Sequence, residues 1–123
     1  ESHALKNVIL QALGAQNEIY PVAARLAPRR DDILLLCSDG LSNEVNGTDM
    51  QKIVSSYPDN LGQACAELVK EANERGGKDN ITLIIAKLSG DDLPEPTESE
   101  IKLDLLDFGN IHDTADQDTG ELV

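Results

Sequence analysis

Apolar positions along the chain alternate between helical and strand-like spacing. Leu5, Val8, Ile9, Ala12 and Leu13 recur at helical intervals and Gly14 follows, which predicts a short amphipathic helix over residues 4–13. Residues 19–27 alternate, with Tyr20, Val22, Ala24 and Leu26 on one side, and Pro21 confines that strand to an edge or to its first residues. A polar turn, residues 28–32, leads into the uninterrupted run Ile-Leu-Leu-Leu-Cys at 33–37. A run of that kind fits a strand covered on both faces. Asn46-Gly47 is a turn dipeptide, and Thr48 is placed to cap a helix from 49 to about 55, broken by Pro58. Leu61, Ala64, Cys65, Leu68, Val69 and Ala72 then form a continuous stripe, predicting a helix over 61–75. Asp59 or Asn60 would cap its start and Gly76-Gly77 would end it. Residues 81–88 are a second, nearly continuous beta-branched run, and no internal repeat is visible.

Charge divides the chain. The formal net charge is -13, and residues 90–123 carry eleven acidic side chains against one lysine. Residues 1–89 carry twelve acids against nine bases, an ordinary balance. The expected organisation is a folded portion over 1–89 and an acidic, disordered tail over 90–123, with Pro94 and Pro96 in its first part. Within that tail, residues 101–108 are locally apolar and offer a segment that could dock a basic partner. The acidic balance excludes a nucleic-acid footprint, and no apolar run is long enough for a membrane span. Aromatic residues are only 2%, so the core must be aliphatic. Cys37 and Cys65 form no CxxC pair and sit in apolar patterns, as buried reduced thiols of a cytoplasmic protein do. No signal peptide is apparent, and the start at Glu1 rather than Met leads us to expect further sequence upstream.

The candidate chemistry lies at the ends of the two apolar runs. Asp39 follows the first, and Asp79 precedes the second. If the two strands are antiparallel neighbours, both carboxylates reach one edge of the sheet, beside Gly40 and Gly76-Gly77. Crowded carboxylates repel unless a proton or cation lies between them. All-oxygen ligands suit hard cations such as Mg2+ and Mn2+. The spacing alone fits equally an Asp39 that closes a loop and an Asp79 in an Asx turn.

The residues around these two aspartates carry a resemblance. Leu-Leu-Leu-Cys-Ser-Asp-Gly-Leu at 34–41 resembles the eighth motif of the metal-dependent serine/threonine protein phosphatases, the PPM or type 2C family. Gly-Gly-Lys-Asp-Asn-Ile-Thr at 76–82 resembles the eleventh, and Asn7-Val-Ile-x-x-Ala-Leu-Gly14 resembles the helix preceding the eighth in bacterial members. The three occur in the family's order, and the resemblance covers residues 1 to about 89. It implies an α+β fold, the C-terminal part of a four-layer α-β-β-α sandwich with antiparallel sheets. It implies that Asp39 and Asp79 are ligands of a two-metal Mn2+ or Mg2+ centre. Asn80 would tether the loop or a water, and Ser38 and Gly40 would shape the backbone that aims Asp39. The implied activity is hydrolysis of phosphoserine or phosphothreonine in phosphoprotein substrates, without a phosphoenzyme.

The departure from the family is also in the sequence. An Asp-Gly-x-Gly-Gly strand, the acid before it and the family's phosphate-binding arginine lie upstream in that pattern, and none is present here. The chain is therefore expected to be a fragment, inactive alone, whose partner is the missing N-terminal half of the domain. The alternative is a non-catalytic, pseudophosphatase-like interaction module. No residue of this chain is assigned as a nucleophile or general base. Cys37 and Ser38 lack a Cys-x5-Arg loop, and His3 and His112 are the only histidines. His3 reads as a surface or capping residue, and Arg29 and Arg30 as a solvated turn. Asp113, Asp116 and Asp118 lack the glycine and glutamate of a calcium loop. The glycosylation-like triplets at Asn46 and Asn80 are accidental in a cytoplasmic chain. A half-sandwich would leave a sheet face and strand edges open, so the isolated chain is expected to associate or stay partly unfolded.

Overall fold

The computed structural model describes residues 9–106. In chain order the elements are β1 (Ala23–Leu26), β2 (Ile33–Cys37), α1 (Asp39–Ser42), α2 (Gly47–Ser55), α3 (Leu61–Glu74), β3 (Leu83–Lys87) and β4 (Leu103–Leu106). The fold is α+β, and both of its two-stranded sheets are antiparallel. No described helix is long and apolar enough to cross a membrane. The chain divides into two compact units, Pro28–Ser99 and the pair of segments that flank it.

Pro28–Ser99 contains the core. β2 and β3 pair with Ile33 opposite Lys87 and Cys37 opposite Leu83. Successive side chains point to opposite faces of a strand. Ile33, Leu35, Leu83 and Ile85 accordingly share one face, and they pack against the helices. The helices contribute the fully buried Leu41, Ala64, Leu68 and Ala72, together with Val54, and the link between α1 and α2 adds the fully buried Val45. Ala64, Leu68 and Ala72 are the inward stripe of α3, four residues apart as one helix face requires. The core is aliphatic, as the scarcity of aromatic residues required.

Local chemistry sets the helix ends. Asn46 Oδ1 accepts the amide of Asp49 at 2.9 Å, so Asn46 caps α2, two residues ahead of the expected Thr48. Asn60 Oδ1 accepts the Gln63 amide at 3.1 Å and caps α3. Past α3, Gly77 at φ +53° occupies the left-handed region, and its amide bonds the Ala72 carbonyl at 3.0 Å, closing the helix as its glycines implied.

Three features depart from the sequence pattern. Of the helix expected over 4–13, only residues 9–13 are described, and they carry no helix. Asp39 opens a four-residue helix, α1, that periodicity is too short to reveal. The acidic segment is structured as far as it is described. Leu103–Leu106 pairs with β1 from Ala23–Leu106 to Leu26–Leu103. Residues 90–99 are held by the turn at 28–32: Arg30 N donates to the Pro94 carbonyl at 2.8 Å, and the Arg29 guanidinium donates to the carbonyls of Thr97 and Ser99 at 2.9 and 2.5 Å. Arg29 and Arg30 are thus a fastening for the segment rather than a solvated turn. The rest of the expected tail, residues 107–123, with its aspartates and His112, lies outside the described residues, as does His3.

Candidate functional site

The β2–β3 register carries the last strand residue, Cys37, to the first, Leu83. Beyond that pair the ladder continues for one more step. Ser38 N donates to the Thr82 carbonyl at 2.8 Å, and the Thr82 amide donates to Ser38 Oγ at 3.0 Å. The same hydroxyl lies 3.3 Å from the Asn80 carbonyl, to which it donates. Ser38 is the N-cap residue of α1, yet its side chain makes no capping bond. Its hydroxyl instead laces the start of α1 to residues 80–82.

Gly40 completes this join. It is buried, and a Cβ built there would collide with the Asn80 carbonyl oxygen and stand 2.9 Å from its carbon. Only glycine permits so close a backbone approach. Asp39 lies between these two contacts, and Asp79 is the neighbour of the residue both of them touch. The strand pairing and the two contacts bring Asp39 and Asp79 to one edge of the β2–β3 sheet, both exposed. Asp79 Oδ1 accepts its neighbour's amide, Asn80 N, at 2.7 Å, which fixes one of its two carboxylate oxygens.

Arg75 is the C-cap residue of α3, four residues before Asp79 in the chain. Its Nη2 donates to Asp49 Oδ2 on α2 at 2.8 Å, its Nε donates to Glu71 Oε1 at 2.7 Å, and its Nη1 lies 3.4 Å from the Glu44 carbonyl. The hydrogen bond to Asp49, then that to Glu71, raises the guanidinium pKa further above its already high ordinary value. The i, i+4 pair with Glu71 is visible in the sequence. The reach to Asp49, twenty-six residues away, is not.

The donors at the edge are hard oxygens, the type that Mg2+ and Mn2+ take. Their number is short of a complete site. Among the described residues no three His, Cys, Asp or Glu side chains gather where a metal ion could sit. Asp39 and Asp79 are carboxylates of the type such an ion takes, and by themselves they do not make a site. The Cys37 thiol is exposed at the same end of β2 rather than buried, and Cys65 is half-buried on α3. Neither is in a disulfide.

No protein-family model and no solved structure matches the chain. Individual proteins do. The protein phosphatase PhpP of Streptococcus pneumoniae is 39% identical over 93 residues, which are 75% of this chain and 37% of that protein. The serine/threonine phosphatase stp of Listeria monocytogenes is 36% identical over 86 residues, 70% of this chain and 34% of its own length. A Streptococcus pyogenes protein that carries the 2C-type phosphatase name is 30% identical over 92 residues, 75% of this chain and 37% of its own. Over the matched stretch this chain belongs to the 2C-type serine/threonine protein phosphatases. It spans little more than a third of the length of these relatives.

Proposed function

We propose that the chain is the C-terminal part of a metal-dependent phosphatase domain that hydrolyses phosphoserine and phosphothreonine in phosphoproteins. In this reading Asp39 and Asp79 hold Mn2+ or Mg2+, and an N-terminal part of the domain supplies the remaining ligands and the phosphate-binding group. The observation that carries it is the join at the sheet edge. Ser38 and Gly40 meet the 80–82 backbone from the two sides of Asp39, so the main chain that carries the two aspartates is held together. Such fixing suits ligands, whose placement must hold within about 0.5 Å.

When bound, the divalent cation supplies Lewis-acid activation. This chain's own contribution is placement. Asp39 and Asp79 offer negative charge, Asn80 N holds one oxygen of Asp79, and Ser38 and Gly40 hold the backbone. The bare outer face of the β2–β3 sheet, with Leu36 and Ile84 side by side, supports a sandwich in which further layers cover it.

A chimera tests the proposal. The stretch of the pneumococcal relative matched by this chain is replaced by this chain's residues, and Mn2+-dependent p-nitrophenyl phosphate hydrolysis is assayed. We expect turnover, reduced at least about 100-fold by Asp39→Asn or Asp79→Asn. A folded chimera without turnover would instead identify a non-catalytic module.

A further inference from the structure

We infer that Arg75 is a positioning residue for the aspartate edge: it fastens the turn at 76–80, which carries Asp79, to the segment that follows Asp39. The inference rests on the metal-ligand reading of Asp39 and Asp79. The turn has no apolar anchor of its own. Residues 73–80 are all exposed, between buried Ala72 and half-buried Ile81. Gly76 at φ +153° and Gly77 at φ +53° supply freedom rather than restraint. The Gly76 and Gly77 amides bond the Asn73 and Ala72 carbonyls and close α3, and beyond these backbone bonds the placement of Asp79 rests on side-chain and sheet-edge ties at either end of the turn.

One tie is the contact of Ser38 and Gly40 with residues 80–82. The other is Arg75. Its guanidinium reaches Asp49 on α2 at 2.8 Å and lies 3.4 Å from the carbonyl of Glu44, five residues past Asp39. Glu71 holds the same group from the α3 side at 2.7 Å. The Glu44 side chain lies against the next residue, Gly76, where an added Cβ would stand 3.0 Å from Oε2. Both ends of the turn are thus tied to the stretch that begins at Asp39. The arrangement uses three donors of one planar group, which a lysine ammonium on a flexible stem does not reproduce.

A brace between α2 and α3 would show the same contacts, so the test separates the two roles. Amide hydrogen exchange is measured on the metal-free 123-residue chain and on Arg75→Lys, Arg75→Ala and Glu71→Gln. Mn2+ affinity is measured in parallel by water-proton relaxation. Arg75→Lys keeps the charge and serves if Arg75→Ala does not fold. Positioning predicts faster exchange at Gly76, Gly77 and Thr82 in Arg75→Lys, unchanged protection inside α2 and α3, and Mn2+ affinity at the Asp39–Asp79 edge lowered about tenfold. Glu71→Gln, which keeps the Asp49 and Glu44 arms, should stay close to the parent chain. Exchange that rises evenly along α2 and α3, or a loosened turn with undiminished Mn2+ affinity, would overturn the inference. If Mn2+ binding to the parent chain is indifferent to Asp39→Asn and Asp79→Asn, the ligand reading fails, and the exchange data then decide separately whether Arg75 holds the turn.

Discussion

The two faces of the β2–β3 sheet are built from the same kinds of residue and have opposite fates. On one face Ile33, Leu35, Leu83 and Ile85 lie under the helices, against Leu41, Val45 and Leu68. On the other, Leu36 is 61% exposed and its ladder partner Ile84 is 63% exposed. Composition cannot distinguish these faces, because Leu and Ile occupy both. What separates them is the connection: α1, α2 and α3 all lie between β2 and β3 in the chain and all cover one side. The uninterrupted apolar run of β2 predicted cover on both sides. In this chain the helices cover one; on the other Leu36 and Ile84 are exposed, while the pair Leu34 and Ala86 is half-buried.

The sharpest way to break the comparison is to damage the covered face. Leu68 is fully buried at the centre of the α3 stripe. Leu68→Ala should cost about 2–5 kcal/mol, read as a shift in the urea midpoint. For a unit of this size such a loss is expected to leave little folded chain. The next largest effect tests the join at the aspartate edge. Gly40→Ala puts a Cβ against the Asn80 carbonyl and should cost about 1–3 kcal/mol. The damage should appear in the amide shifts of residues 38–40 and 79–82 before it appears in α3. Asn60→Ala removes the α3 cap and should cost about 1 kcal/mol, a measure of how far α3 depends on its end rather than on its buried stripe.

The bare face should respond in the opposite sense. Leu36→Thr with Ile84→Thr keeps beta-forming side chains while removing apolar surface. Stability should change by less than about 0.5 kcal/mol per site. Self-association, measured by light scattering across a concentration series, should fall. A parent chain that is already monomeric at all concentrations would show that this face does not drive association.

The sequence made the covered layer legible because the pattern there is long. The α3 stripe, the β2 run and the β3 run appear where periodicity and length placed them, to within a few residues. The Asp39–Asp79 proximity was legible too, but only through the assumption that the strands pair antiparallel, which the register bears out. What was hidden depends on distant partners. α1 is one turn long. β4 lies in a segment whose composition signals disorder, yet backbone pairing with β1 and the carbonyl contacts of Arg29 do not depend on side-chain hydropathy. The turn at 28–32 could not reveal its role, since Thr97 and Ser99 lie nearly seventy residues away. The resemblance implied only that Ser38 shapes the backbone that aims Asp39, and the folded chain shows its hydroxyl committed to the 80–82 backbone.

The central claim is that Asp39 and Asp79 act as one partial ligand set. Mn2+-induced broadening of amide NMR signals tests it most directly, because a paramagnetic ion marks its position even when it binds weakly. We predict that broadening in the 123-residue chain affects Gly40 and Asn80 together, and that Asp39→Asn or Asp79→Asn alone removes it from both. Broadening that avoids this edge, or that survives at one aspartate when the other is replaced, would contradict the account.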